Sequence, residues 1–224
     1  MRVDAALAAG RLNLHSFAAT TPGEPPTIQM HVLPAYVVNS GRTKVPGFGV
    51  TINTCVVRPK SRGSVTLASS DPGAMPRIDP NFHGHPDDRA QSIMGVRLAR
   101  EILAQPALAK YISAERFPGR GKQTDAEILE YIKEYASVDY HPVGTCKMGI
   151  GEDAVVDPQL RVRGIDNLRV VDSSIMPNLI SGNTNAPSIM IGEKGAALIR
   201  NEAPVVALTV GQNTGRQNQQ MEMS

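Results

Sequence analysis

The chain has 224 residues, 41% of them hydrophobic and 20% charged, with a formal net charge of +2. That supplies enough apolar material for the core of one domain or two small ones. Dispersed basic residues, the absence of Trp and an aromatic content of 4% give neither the basic face nor the stacking surface that nucleic-acid binding needs.

Taken in chain order, residues 1–27 are rich in Ala, Thr and Pro, and weak patterning predicts a poorly ordered lead-in. A strand-like stretch begins at Gln29, Met30, His31 and runs to Val38. A second strand is expected from Phe48 to Val57, and a third from Ser64 to Ser69 after the turn Arg58–Gly63. Short connections make this an antiparallel sheet. The proline-rich run from Ser70 to Pro80 reads as a rigid extended connection. Pro86, Asp87 and Asp88 suit the first turn of a helix. Met94, Leu98 and Ile102 should form its buried face, and Pro106 should end it. Thr124 and Glu127 have capping-box spacing and open a second helix, with Ile128, Leu129, Ile132 and Tyr135 as its apolar side.

The chain changes character at Tyr140. His141 to Met148 (HPVGTCKM) is compact and turn-like, and Leu168 to Asp172 (LRVVD) reads as a short buried strand. Ser181 to Pro187 (SGNTNAP) is a polar turn before a last helix carrying Ile189, Met190 and Ala196–Ile199. Residues 203–224 are Gln- and Asn-rich and are expected to be a disordered tail. The resulting division is a lead-in (1–27), a substrate-binding domain (28–139), a C-terminal catalytic segment (140–202) and the tail (203–224).

Cys55 and Cys146 are far apart and lack C-x-x-C spacing, so they read as reduced thiols in a cytoplasmic protein. The opening residues lack a signal-peptide core, and no window approaches the ~18 apolar residues of a membrane span. Any contact with the inner membrane is then peripheral.

Of five histidines, His15 and His31 read as ordinary structural or exposed residues. His83 and His85, near Asp87 and Asp88, form an H-x-H that two imidazoles could use for a metal. No second cluster completes such a site, and a polar loop before a helix explains them as well. His141 stands apart, because Pro142 restricts the backbone after it and Gly144 permits a close approach to another segment. A positioned imidazole is a natural proton acceptor at neutral pH. In the second cluster, Thr184 or Asn185 can cap the last helix and Pro187 fits its first turn. The same helix start also attracts anions.

The ordered runs YHPVGTCKMG from Tyr140, AVVDPQLRVRGIDNLRVVDSSIMP from Ala154 and SGNTNAPSIMIGEK from Ser181 resemble the C-terminal signature of the glucose-methanol-choline oxidoreductases, and the choline dehydrogenase-like branch in particular. RPKSRGSVTLAS from Arg58 and IDPN from Ile78 are similar to the same branch, so the likeness covers about residues 28–202. The resemblance implies an α+β fold. An antiparallel sheet with packed helices would form the substrate domain, joined to the C-terminal strand-helix piece of an FAD-binding α/β domain. It implies His141 as catalytic acid/base and Asn183 as its partner, with Asp172, Ser173, Asn185, Ala186, Pro187 and Ser188 beside the FAD. The implied reaction is oxidation of a primary alcohol to an aldehyde, with hydride transfer to flavin N5 and reoxidation by a quinone or oxygen. The family's G-x-G-x-x-G cradle has no counterpart in this sequence. The expected partner is therefore a separate N-terminal FAD-binding half. A truncated, non-catalytic remnant is the alternative, and lyase chemistry on a bound flavin is a third reading within the family.

Overall fold

A computed structural model describes residues 14–21 and 23–201. These form strands β1 (Leu14–Ala18), β2 (Ile28–Leu33), β3 (Thr51–Val56), β4 (Ser64–Thr66) and β5 (Arg77–Asp79), and helices α1 (Pro86–Leu103), α2 (Pro106–Ala109), α3 (Asp125–Tyr135) and α4 (Asn185–Ile199). The architecture is α+β. An antiparallel sheet has the order β1-β2-β3, and a separate ribbon pairs β4 with β5.

Several sequence expectations are corrected. β1 falls inside the stretch read as a poorly ordered lead-in, and its pairing with β2, from Leu14 opposite Val32 to Ala18 opposite Ile28, explains why. Cross-strand hydrogen bonds order a segment whose own pattern is weak. The third expected strand leaves the first sheet and instead pairs with β5, within the run read as a mere connection. Residues 1–13 and the 203–224 tail lie outside the described residues.

Leu168–Asp172 is not a strand. Only an isolated bridge joins Arg169 to Arg161, and Leu168 is 46% exposed. A strand needs a ladder partner for its N–H and C=O groups, and no neighbouring strand offers one among the described residues. The helix expected after it is present as α4. Gly195 packs against the segment so closely that an added Cβ would lie 2.2 Å from Val171 Cγ1.

Two apolar clusters form. One joins Ile93 of α1 to Ile128 and Ile132 of α3. The other gathers Val156, Leu160, Ile175, Met176 and Ile191, with Val143 and Met148 packed against it. On α1 the buried residues are Asp88, Ile93 and Gly95, whereas the expected Met94 is 44% exposed. The small Gly95 lets the helix meet β3, where its missing Cβ would stand 2.7 Å from Thr54 Oγ1. The capping box at Thr124 and Glu127 forms as the sequence predicts, and α3 buries Ile128 and Ile132.

At the start of α1, buried Asp88 accepts from the Lys60 and Ser61 N–H groups, each at 2.8 Å, and from the Ser61 hydroxyl. Burial opposes the Asp88 carboxylate, but these bonds outweigh it and hold its pKa below the ordinary range. The Arg58–Gly63 turn is thereby fixed to the helix. From this turn Arg58 Nε donates to Ser181 Oγ at 2.6 Å, and Arg62 Nη2 donates to Asn178 Oδ1 at 2.6 Å. The loop leading to Asn183 is anchored from across the chain.

Candidate active site

The loop bearing His141 is held from below. Gly144 has φ +92°, and a Cβ there would come within 3.3 Å of Met176 O. Cys146 N–H donates to Ser174 O at 3.0 Å and Met148 N–H to Ile175 O at 2.7 Å. Ser173–Ile175 is a 3-10 turn capped by Asp172, whose Oδ1 accepts from Ser174 N–H at 2.8 Å. Val143 and Met148 then bury against the second apolar cluster. A turn with two backbone staples and an apolar anchor has little freedom, so the His141 ring is carried on a rigid base.

His141 meets the start of α4. Its Nδ1 lies 2.8 Å from Thr184 Oγ1, and its Nε2 lies 2.7 Å from Asn183 Nδ2. Asn183 is held in turn by Gln29, whose Nε2 donates to Asn183 Oδ1 at 3.0 Å. An amide NH2 can only donate. With Asn183 Oδ1 accepting from Gln29, its Nδ2 therefore donates to His141 Nε2. The ring proton then sits on Nδ1, donating to Thr184 Oγ1, and Nε2 carries the lone pair. The Thr184 N–H approaches the same Nδ1 at 3.4 Å, a contact too long to compete with the hydroxyl.

Thr184 occupies the N-cap position of α4 yet makes no side-chain cap, since its hydroxyl serves His141. Ser188 Oγ donates back to Thr184 O at 2.6 Å, and Pro187 has no N–H. The exposed first-turn residues Asn185 and Ala186 thus leave an uncapped positive helix end beside the imidazole.

The polar face of the β1-β2-β3 sheet faces the pair. Successive side chains of a strand alternate between faces. Ile28 and Met30 turn with Thr54 toward α1. Gln29 and His31 turn the other way, opposite Cys55 and His15 across the ladders. His15 and His31 meet edge-on with centroids 4.4 Å apart. His31 Nε2 lies 3.5 Å from Asp139 Oδ2, without hydrogen-bond geometry. Burial pushes the His31 imidazole below its usual range. Asp139 pulls the other way, and His15 and His141 add to the depression. Burial, and then Asp139, push the Cys55 thiol up to about 11, so it stays protonated.

The structure thus brings His141 and Asn183 into contact across 42 residues of sequence. Asn185 to Ser188 lie at the adjoining helix start. Asp172 and Ser173 do not touch the pair and instead build the turn that supports the His141 loop. Sequence reasoning passes over Gln29, Thr184 and His31. Strict alternation in Ile28-Gln29-Met30-His31-Val32, two polar residues in one phase of an otherwise apolar strand, is the signal that points to Gln29 and His31, whereas Thr184 is expected only as a helix cap. His83 and His85 serve α1: His85 Nδ1 accepts from Asp87 N–H at 3.1 Å, and His83 Nε2 meets Ser92 Oγ at 2.9 Å. His141 and Asn183 line neither of two cavities of about 400 and 200 Å3, the first of which His83 does line.

A family model described as GMC oxidoreductase matches residues 59–192. The chain belongs to the GMC oxidoreductase family. It is 44% identical to an alcohol dehydrogenase [acceptor] of Pseudomonas putida over 198 residues, 88% of this chain and 36% of that protein. It is 45% identical to an oxygen-dependent choline dehydrogenase of Rhizobium etli (strain CIAT 652) over 193 residues, 85% of this chain and 35% of that one. This GMC chain therefore spans about a third of the length of the curated relatives it matches. Among solved structures it resembles pyridoxine 4-oxidase from Mesorbium loti, with a TM-score of 0.74 and 31% identity, over 85% of this chain and 38% of that one. It also resembles an Aspergillus oryzae formate oxidase studied for modification of its FAD, with a TM-score of 0.70 and 26% identity, over 80% and 32% of the two chains.

Proposed function

We propose that this chain is the substrate-facing, proton-handling part of an FAD-dependent enzyme that oxidises a primary alcohol to an aldehyde. The observation that carries this is the His141–Asn183 contact. It pairs an acceptor at Nε2 with a donor at Nδ2 beside an uncapped helix start.

The residues present fit FAD. The positive end of α4 at Asn185 and Ala186 suits the negative charge of a reduced isoalloxazine, and Ser188 and Pro187 shape that turn. Asp172 and Ser173 would line the dinucleotide from the neighbouring turn. The pyrophosphate cradle would come from a portion outside these 224 residues, of the same polypeptide or a second one. When bound, FAD supplies the acceptor for the hydride of the alcohol C–H bond.

His141 Nε2 takes the hydroxyl proton, which raises electron density on the carbinol carbon and eases loss of its hydride. Asn183 Nδ2 donates to the oxygen as negative charge builds there. Thr184 Oγ1 holds the Nδ1 proton and so keeps the lone pair at Nε2. A quinone or oxygen then removes the electrons.

The experiment is anaerobic addition of primary alcohols to the FAD-loaded protein containing this chain. Bleaching of the flavin band is expected. A protein that binds FAD tightly but is bleached by no alcohol would contradict redox chemistry and favour a lyase. A protein that never takes up FAD would identify a non-catalytic remnant.

A further inference from the structure

We infer that Gln29 is a positioning residue that sets the polarity of the active pair by fixing which end of the Asn183 amide faces His141. This deepens the proposed function and rests on it. Gln29 lies 154 residues from Asn183 in sequence, yet its Nε2 donates to Asn183 Oδ1 at 3.0 Å. It is only 2% exposed, so water does not compete for its amide.

Two further neighbours favour one orientation of the Gln29 amide. Its Nε2 also lies 3.2 Å from His15 Nδ1, and its Oε1 lies 4.0 Å from Cys55 Sγ. The protonated Cys55 thiol can donate to Oε1, in competition with Asp139 Oδ2 at the same 4.0 Å, and the NH2 end then serves His15 and Asn183. Turning the Gln29 amide over would set its oxygen against Asn183 Oδ1 and its NH2 against the thiol. The donors therefore run in one direction, from Gln29 to Asn183 to His141 to Thr184, and leave His141 Nε2 as the acceptor that faces the Asn183 NH2 group. Reversing Asn183 would put an acceptor against the Nε2 lone pair. The ring would then have to protonate Nε2, which disables it as a base.

The titratable groups on this side are His15 on β1, His31 on β2, Cys55 on β3, and Asp139 and Tyr140 ahead of His141. None of them touches Asn183 directly, so Gln29 is the control point.

The test compares alcohol-dependent flavin reduction in the FAD-loaded protein with Gln29→Glu, Gln29→Met and Asn183→Ala. An ionised carboxylate at position 29 accepts from Asn183 and reverses its amide. The acid limb of the pH–rate profile should then move up by about one pH unit. Gln29→Met keeps the shape but removes the lock, and kcat should fall by about tenfold with KM little changed. In the Asn183→Ala background Gln29→Met should cost nothing more, since Gln29 acts through Asn183. An unmoved acid limb with wild-type kcat in both variants would overturn the inference. So would an undiminished effect of Gln29→Met in the Asn183→Ala background. If the Gln29→Glu protein does not fold, the Gln29→Met cycle decides alone. His141→Ala separates the two claims: if it reduces flavin at the wild-type rate, the function proposed above fails. If only the Gln29 variants behave as wild type, the positioning role alone fails.

Discussion

At the scale of single residues, hydrogen-bonding capacity decides more than charge. Among the described residues, the Thr184 hydroxyl is the sole side-chain partner of His141 Nδ1. Thr184→Val, which keeps the shape and deletes the acceptor, should lower flavin reduction by about tenfold with unchanged FAD affinity. Stopped-flow absorbance reads both. Asp88 makes the opposite case, a buried carboxylate whose task is structural. Its pKa is depressed in the folded chain by bonds from Lys60 and Ser61. It therefore adds stability above its unfolded value of about 3.9, and that stability is lost as pH falls through the lower folded value. Asp88→Ala strands two backbone N–H groups and should cost about 3 kcal/mol at pH 7. The difference from wild type should shrink as the pH is lowered through the acid range, which urea titration at several pH values measures.

At the scale of elements, the sequence is most informative where local chemistry is self-contained. Thr124 and Glu127 satisfy one another within four residues, so the start of α3 follows from the letters alone. Thr124→Ala should lower stability by about 1 kcal/mol, readable as a shift in the urea midpoint. Elements that need a distant partner are less legible. β1 has weak patterning and forms because β2 accepts it. Leu168–Asp172 has strong strand character and does not form a strand, because its pairing with Leu160–Val162 stops at the single Arg161–Arg169 bridge. On α1 the apolar spacing of Met94, Leu98 and Ile102 suggests one face, but Gly95 against Thr54 sets the rotation of the helix. A small residue wins there by permitting contact, and periodicity of large residues does not register it. The same device seats α4, where Gly195→Val would collide with Val171 and should destabilise by about 2 kcal/mol.

At the scale of the whole molecule, the His141–Asn183 pair, to which we assign the proton transfer, lies at a partly exposed face, with His141 half-buried and Asn183 exposed. Helix α4 leaves Ile189, Met190 and Ile199 more than half exposed, at 61%, 57% and 57%. How much of the candidate site could be read beforehand follows from the same geometry. His141 and Asn183 each sit in a short motif with its own turn chemistry, and their likeness to a family singled them out. Gln29 and Thr184 have ordinary local settings, and their importance arises only when β2 meets the start of α4. The central claim is that His141 is the base. The direct measurement is the single-turnover rate of flavin reduction by a primary alcohol in the FAD-loaded His141→Ala protein. A fall of about 10²-fold or more is predicted, with FAD still bound; reduction at the wild-type rate would contradict the account.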